Sequence, residues 1–245
     1  MDISSYVLLS QETALRRRMD VAANNLANMN TVGFKREQPV FREYVEKTDS
    51  AVKPANKTSF VLDYGAVHDF SQGAFQPTGN ALDVMIEGNG YLSVQAPDGS
   101  TAYTRSGQLK MLPTGELATS SGNKVLGEGG KPITIPPEAA NQIEIGKDGT
   151  INGPGGPFGR LTVTEFNEAT VDPRGDGLFN GTGGRELPAG ETHLQTGGIE
   201  GSNVNAIQET TDMVEILRAY QTSQNLSQSM NDMRKSAIDR LSKVG

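Results

Sequence analysis

The chain has 245 residues, of which 35% are hydrophobic and 6% aromatic, and its formal net charge is −7. It contains no Cys, which excludes a disulfide framework and a thiolate metal site, and its acidic balance argues against nucleic acid or an anionic membrane surface as a partner. No run of eighteen apolar residues occurs, so the sequence predicts no membrane-spanning helix and no direct membrane insertion.

The residues that interrupt regular structure are confined to the middle of the chain. All 12 Pro and 28 of the 29 Gly lie between residues 33 and 201. The charge is divided in the same way, because bases and acids balance within residues 1–32 and again within residues 202–245. We therefore expect two uninterrupted helical ends and one turn-rich, acidic and solvated body between them.

Residues 1–32 predict an N-terminal assembly helix. Apolar residues recur there at spacings of three and four, a heptad-like pattern in which Glu12 is the polar exception. The pattern consists of Leu8, Leu15, Met19, Ala22, Leu26 and Met29. Gly33 suits the C-terminal end of such a helix. The first ten residues lack a basic segment and a long apolar run, so we expect no cleaved signal peptide.

Residues 33–75 predict an extended connecting segment. They include Pro39 and Pro54, and few of their apolar residues recur with a regular period. No strand pairing within this segment is predicted from the pattern.

Residues 76–200 predict a central all-β domain. Short β-type runs alternate there with turn dipeptides such as Asp98-Gly99 and Asp148-Gly149, which is typical of a sandwich or barrel. The expected strands are 82–87, 91–95, 102–105, 108–112, 124–126, 133–135, 142–145 and 161–166. Residues 170–201 are rich in Gly, and we expect a loop or ragged strands there. The fold class is therefore mainly β, with long α-helices at both ends.

Residues 201–245 predict a C-terminal assembly helix, with Ser202 or Asn203 as its N-cap. Its apolar positions again follow a seam, in which Ser223 is the polar member. The seam consists of Ile216, Ala219, Leu226, Met230, Met233, Ala237 and Leu241. The helix would be about 60 Å long at 1.5 Å per residue, which is too long for its stripe to be buried against a small body.

Both predicted helices carry amide and hydroxyl side chains where packing contacts are expected. Four Asn residues lie between positions 24 and 30, and residues 221–231 form a similar polar run. One interpretation is a solvated face and a frayed helix end, because Asn competes for backbone hydrogen bonds. The other is hydrogen bonding between packed helices, which fixes their register. The occurrence of this pattern at both ends favours assembly.

The sequence predicts no cofactor and no metal site. His68 and His193 form no metal-binding pattern. The Gly-rich segment 153–157 lacks the Lys and the Ser or Thr of a phosphate loop. Residues 172–177 lack a complete calcium ligand set, so an ordinary turn is expected there.

A secreted carbohydrate-binding protein or enzyme is the alternative from another functional class. Asp69, Asp83 and Glu87 could supply paired carboxylates for glycoside hydrolysis. No aromatic platform accompanies them, and the chain contains no Trp. Asp83 is therefore expected at a strand edge or in a turn.

Four segments together resemble the bacterial flagellar rod and hook family of axial proteins. They are 23–36 (ANNLANMNTVGFKR), 78–92 (TGNALDVMIEGNGYL), 103–107 (YTRSG), and 198–205 (GIEGSNVN) followed by Arg218-Ala219-Tyr220. Each segment alone is a weak signal, but their order and spacing agree over nearly the whole chain. Met85 and the pair Tyr91-Leu92 stand where relatives often have Ala and Phe-Phe, which affects only the assignment of subtype.

The resemblance implies a structural axial subunit without enzymatic activity. Family members pass unfolded through the flagellum's own type III export apparatus, which implies a periplasmic location in the basal-body rod without a cleaved signal peptide. Their terminal helices pair as a coiled coil in the inner tube, and their β domain faces outward. The implied partners are the export apparatus, copies of the same chain, and other proximal and distal rod subunits.

Chain length and continuous helical ends favour the proximal rod within this family, and the distal rod is the alternative. A rod-associated scaffold or cap is a further possibility. The expected subunit-interface residues are Leu8, Leu15, Met19, Asn24, Asn25, Leu26, Asn28, Ile216, Leu226, Met230 and Met233. Gly33, Phe34 and Gly201 are expected to act as hinges between the helical layer and the outer body.

Overall fold

The computed structural model describes residues 3–48 and 56–242, which form two compact units. Unit 1 comprises Met1–Ala27, Glu37–Asp69 and Val204–Gly245, and unit 2 comprises Asn28–Arg36 and Phe70–Asn203. A β-rich centre with one helix near each end confirms the mainly β fold class.

Unit 1 contains two long helices, α1 (Ile3–Ala27) and α2 (Ala206–Ser242). They pack against each other in antiparallel directions. Asn205 caps α2, because its Oδ1 accepts hydrogen bonds from the backbone N–H groups of Ile207 and Gln208 at 3.1 and 3.3 Å. The predicted caps, Ser202 and Asn203, lie three and two residues before Asn205.

α1 ends at Ala27, earlier than the boundary predicted at residue 32. The chain then turns within unit 2, where the Thr31 N–H donates to the Asn28 carbonyl at 3.1 Å and the Thr31 hydroxyl donates to the Asn28 side chain. Side-chain bonding of this kind competes with helix continuation, which accounts for the early end.

The segment predicted as extended contains a long β-hairpin in unit 1. Strand β1 (Glu37–Thr48) pairs antiparallel with β2 (Asn56–His68), and the register shifts between Val40 and Phe41. α1 packs against both strands as well as against α2. The apolar residues buried in unit 1 are Leu15, Val21, Ala22 and Ile216.

Unit 2 is built from short strands. They are β3 (Phe75–Pro77), β4 (Val84–Ile86), β5 (Gly90–Gln95), β6 (Thr101–Thr104), β7 (Leu109–Met111), β8 (Leu117–Thr119), β9 (Lys124–Val125), β10 (Glu144–Ile145), β11 (Thr150–Gly153), β12 (Gly156–Arg160), β13 (Val163–Glu165), β14 (Val171–Gly175), β15 (Leu178–Gly181), β16 (Arg185–Glu186), β17 (Leu194–Thr196) and β18 (Gly198–Glu200). Three short 3₁₀ helices lie at Glu128–Gly130, Pro137–Gln142 and Glu168–Thr170.

The main sheet of unit 2 has the strand order β14-β15-β6-β5-β9-β8-β7, and β13 joins it by pairing with both β5 and β16. The smaller sheets are β10-β11-β12, β17-β4 and β18-β3. Residues 170–201, for which a loop or ragged strands was predicted, form the short strands β14 to β18. The predicted strand 133–135 is absent, and Thr134 makes only an isolated bridge to Glu116.

Strand β5 lies at the centre of unit 2 because both of its faces are buried. Leu92 and Val94 belong to the main apolar core on one face of the strand, whereas Tyr91 on the other face belongs to a separate aromatic cluster with Phe166 and Phe179. This alternation follows from the two-residue period of a β-strand. The aromatic cluster lies directly beside the buried charges described below.

Candidate junction and assembly sites

The eight apolar residues predicted at the helix interfaces differ in burial. Two are buried, four are half-buried and two are exposed; in that order they are Leu15 and Ile216, then Leu8, Met19, Leu26 and Met230, then Leu226 and Met233. Buried Ile216 and half-buried Met230 thus alternate along α2 with exposed Leu226 and Met233, so the seam is only partly covered within the chain.

The polar exceptions in the two predicted seams contact each other. Ser223, which is buried, donates from its Oγ to Glu12 Oε1 at 3.4 Å. Near the other end of α1, Arg234 donates to the Ser5 hydroxyl at 3.2 Å. The Ser223 hydrogen bond belongs to the predicted polar run 221–231 and joins the two packed helices, whereas Arg234 and Ser5 lie outside both predicted runs. Polar contacts of this kind favour one register of α1 against α2.

Asn25 is the most deeply buried of the clustered Asn residues, with 1% of its surface exposed. Its Nδ2 donates to the Glu37 carbonyl at 2.9 Å, and its Oδ1 accepts from the Glu37 N–H at 2.8 Å. Nδ2 also lies 3.3 Å from Oε2 of Glu209, a carboxylate that is buried in the first turn of α2. Asn25 thus joins α1 to the first residue of β1 and to α2.

The other Asn residues of this cluster have different environments. Asn24 and Asn30 are exposed, and Asn28 is half-buried in the turn after α1. The sequence did not predict that Asn25 joins these secondary-structure elements. Asn occupies four positions between residues 24 and 30, and only tertiary packing distinguishes them.

The predicted hinge residues lie in a tightly bonded region of unit 2. The Gly33 N–H donates to the Glu200 carbonyl at 2.9 Å, the Asn203 N–H to the Phe34 carbonyl at 3.4 Å, and the Gly201 N–H to the Ala74 carbonyl at 2.9 Å. Gly33 has a φ of +69°, and a Cβ there would lie 2.7 Å from the carbonyl carbon of Arg105. Only Gly combines this backbone conformation with so close an approach.

Beside these residues lies an ionic cluster of Lys35, Arg105 and Glu200. The Lys35 Nζ is 2.7 Å from Glu200 Oε1, and both side chains are fully buried. The Arg105 Nη1 is 3.7 Å from Glu200 Oε2 and donates to the Gly88 carbonyl at 2.7 Å. Two cations thus share one carboxylate, and a backbone carbonyl partly offsets the remaining positive charge.

The face of Tyr91 completes the environment of Arg105. The Arg105 guanidinium carbon lies 4.8 Å from the Tyr91 ring centroid, a cation–π distance. Burial raises the pKa of the Tyr91 hydroxyl, and the neighbouring Arg105 charge opposes that shift. Tyr91 also makes edge contacts with Phe70, Phe166 and Phe179. The Arg105 member of the ionic cluster therefore packs against an aromatic ring that is itself held by three others.

Residues from all four quoted sequence segments meet at this place. Lys35 comes from the first segment, Gly88 and Tyr91 from the second, Arg105 from the third, and Glu200 from the fourth. The sequence indicated that these segments belong together but did not predict that they form a charge cluster. Lys35 and Glu200 are 165 residues apart in the sequence, which explains why local patterns carry no signal for the pair.

The carboxylates considered for other chemistry have structural roles. Asp83 lies in a turn, where it accepts hydrogen bonds from the Thr78 hydroxyl and the Asn80 amide at 2.7 and 3.0 Å, which confirms the turn prediction. Of the predicted turn 172–177, Asp176 and Gly177 form the turn between β14 and β15, whereas residues 172–175 belong to strand β14. Among the described residues, no group of three or more His, Cys, Asp or Glu side chains could hold a metal ion.

Neither helix, over the residues that the structure describes, combines the length and apolar character needed to cross a membrane.

Three models of protein families match the chain in succession. "Flagella basal body rod protein" matches residues 6–35. "Flagellar hook protein FlgE/F/G D1 domain" matches residues 85–153, and "Flagellar basal body rod FlgEFG protein C-terminal" matches residues 195–240. These matches include most of α1, the β5–β6 region and most of α2.

The chain is also similar to curated proteins along its whole length. It is 35% identical to the flagellar basal-body rod protein FlgF of Caulobacter vibrioides, with 100% of both chains aligned. It is 33% identical to FlgF of Escherichia coli, with 95% of each chain aligned. It is 34% identical to the flagellar basal-body rod protein FlgG of Buchnera aphidicola subsp. Schizaphis graminum, over 87% of this chain and 88% of that protein.

Proposed function

The chain belongs to the flagellar basal-body rod protein family, and we propose that it polymerises through its terminal helices to form part of the proximal rod. Membership of this family makes it a structural rod protein, in agreement with the resemblance seen in the sequence. The observation that supports polymerisation is a row of five apolar side chains on α2, four of which the monomer leaves exposed.

This row, which we name the distal stripe, comprises Leu226, Met230, Met233, Ala237 and Leu241. Leu226, Met233 and Leu241 are 50%, 64% and 76% exposed, Ala237 is also exposed, and Met230 is half-buried. Its spacings of three and four residues place these side chains on one side of the helix. Exposed apolar surface in one contiguous row is typical of a protein interaction site.

We propose that the distal stripe pairs with helices of neighbouring subunits as a coiled coil. Residues 202–245 carry balanced charges, so like copies can approach without strong repulsion. The polar groups that flank the stripe could fix the register between subunits in the way that Ser223 and Glu12 fix it within the chain. The remaining predicted interface residues, including Asn24 and Asn28, belong to the same proposal.

The β1–β2 hairpin offers a second surface for assembly. Tyr44, Leu62, Tyr64 and Val67 are each about half exposed. Arg42 lies 3.6 Å from the Tyr64 ring centroid and covers one face of that ring. A two-stranded sheet is stabilised when its apolar side chains are covered, so this hairpin favours contact with a neighbouring subunit.

The proposed partners are copies of the same chain and other rod subunits, together with the flagellar export apparatus through which the unfolded chain would reach the periplasmic basal body. No catalytic role is proposed. The distal rod remains the alternative position, because relatives named FlgG match at identities similar to those named FlgF.

The test is a charge placed in the distal stripe. Met233→Asp should abolish rod assembly and swimming, because full burial of a Met side chain contributes about 1.5–3 kcal/mol and a buried carboxylate is unfavourable at every repeated contact. The folded monomer should retain its stability within about 0.5 kcal/mol, because Met233 is exposed there.

Asn231→Asp is the matched control, because it adds the same charge two residues away at an exposed position outside the stripe. It should leave swimming intact. Measurement of exported subunit in both strains separates an assembly defect from an export defect. Normal rods in the Met233→Asp strain, or equal loss of swimming in both strains, would contradict the proposed interface.

A further inference from the structure

We infer that Glu200 is a positioning residue that makes residues 28–36 an integral part of unit 2 and fixes the points at which the chain leaves that unit. This inference concerns the folding of one chain and does not depend on the proposed rod function. It is based on the hydrogen bonds and ion pairs that meet at Glu200 and at the nearby Asn203.

Glu200 joins three separate stretches of chain. Its Oε1 accepts hydrogen bonds from the Lys35 ammonium at 2.7 Å and from the Gly73 N–H at 2.9 Å. Its backbone carbonyl accepts from the Gly33 N–H at 2.9 Å. Glu200, a single residue of β18, therefore binds a backbone N–H and a side chain of the segment 28–36. It also binds the backbone of Gly73, which leads into β3.

Asn203 repeats this arrangement three residues later. Its Oδ1 accepts from the Arg36 N–H at 2.7 Å, and its Nδ2 donates to the Ser71 carbonyl and hydroxyl at 3.1 Å. Lys35 donates to the same Ser71 carbonyl at 2.8 Å. The same three stretches of chain are thus joined twice, once through charges and once through an amide.

The contacts of Glu200 and Asn203 with residues 33–36 and 71–73 are named the junction. The burial of the ionic cluster makes this junction difficult to open locally. Lys35 and Glu200 have no exposed side-chain surface, so release of residues 28–36 would remove the closest counter-charge from a carboxylate in a low-dielectric site. Among the described residues, Glu200 Oε2 accepts no hydrogen bond, and Arg105 lies 3.7 Å away. If Lys35 were released, the hydrogen bond from the Gly73 N–H and the more distant Arg105 charge would be the contacts left to this carboxylate, and no second ammonium from the described part of the chain would replace Lys35 at Oε1.

The junction also determines where the chain leaves unit 2. Arg36 and Asn203 are the last residues of unit 2 before the chain enters unit 1, and the 2.7 Å hydrogen bond joins these two exits. The exits towards β1 and towards α2 are thus held side by side by unit 2 itself. A buried salt bridge without this role would stabilise unit 2 as a whole and would have no special effect on the segment 28–36.

Hydrogen exchange of the full chain separates these two cases. In Glu200→Gln, amides of residues 31–36 should exchange at least about tenfold faster than in the unchanged protein, because a charged hydrogen bond to Lys35 is lost. Amides of β5 should change by no more than about twofold, because the strand lies in the main core. Trypsin should also cleave after Lys35 and Arg36 more readily.

Asn203→Ala is the second variant, and it decides the matter if Glu200→Gln does not fold. It removes the amide junction without unpairing a buried charge, and it should again accelerate exchange at residues 31–36 preferentially. Arg185→Gln is the control, since it breaks only exposed ion pairs with Glu165 and Glu191 and should not change exchange at residues 31–36. Equal acceleration of β5 and residues 31–36, or no acceleration in the two junction variants, would overturn the inference.

Discussion

Replacement of Gly33 by Ala tests the close packing of the junction in unit 2. A Cβ at this position would lie 2.7 Å from the Arg105 carbonyl carbon and 2.9 Å from both the Arg105 oxygen and the Ser106 nitrogen. These are backbone atoms, so a side-chain rotation cannot relieve the overlap. Gly33 also has a φ of +69°, which L-residues other than Gly adopt at a cost of about 1–2 kcal/mol.

Gly79→Ala is the matched control for this substitution. Gly79 has a similar φ of +75°, but no atom lies within 4 Å of the position that its Cβ would take. It should therefore show the conformational cost alone, about 1–2 kcal/mol. Gly33→Ala should show a further loss of about 1–3 kcal/mol, the usual cost of inserting an extra group into a close-packed region.

Native-state hydrogen exchange at β5 measures this difference. The buried amides of that strand report the free energy of unfolding of unit 2, because core strands exchange through global opening. Both variants should retain the β-sheet signal in circular dichroism. If the two substitutions lower the unfolding free energy equally, within about 0.5 kcal/mol, the close approach of Gly33 to Arg105 has no energetic consequence and the reasoning is wrong.

Two further predictions concern polar groups. Hydrogen bonds from Ser100, assisted by Arg174, lower the pKa of Asp98 from 3.8 to about 2, so the interaction favours the fold above the ordinary pKa and is lost as the pH falls through 2. In a carboxyl NMR titration, Ser100→Ala and Arg174→Gln should each raise this pKa towards 3.8, and an unchanged pKa in Ser100→Ala would refute the assigned cause. Asn25→Ala should destabilise unit 1 by about 1–3 kcal/mol in urea unfolding, because it removes the side-chain partner of part-buried backbone groups of Glu37 in β1. Asn231→Ala, at an exposed position of α2, is the control, and a similar loss there would contradict this role.

The positions of Gly and Pro were sufficient to predict two helices and a β-rich centre. They act locally, through backbone conformation, and therefore leave a signal in the sequence itself. The polar exceptions in the apolar seams were similarly informative, because Glu12 and Ser223 contact each other across the helix pair. The pairing of β1 with β2 was harder to predict from the sequence, because both strands lack a regular apolar period.

The charge cluster could not be predicted because its members come from distant parts of the chain. Lys35, Arg105 and Glu200 each look like an ordinary solvated residue in their local sequence, and burial becomes apparent only when the three stretches meet. Short strands such as β8, with the sequence Leu117-Ala118-Thr119, were missed for a related reason. All three of its residues are buried, so the alternation that marks a half-buried strand is absent.

The distal half of α2 differs from unit 2 in the apolar side chains that it leaves uncovered, and this difference supports a role in contacts with other subunits. Unit 2 buries even the ion pair of Lys35 and Glu200, whose two members both belong to that unit. The distal half of α2 instead exposes apolar side chains such as Met233 and Leu241. A fold selected only for stability as a monomer would gain by covering these side chains, since each contributes about 1.5–3 kcal/mol when fully buried. The exposure of these side chains is explained if neighbouring subunits cover the distal stripe.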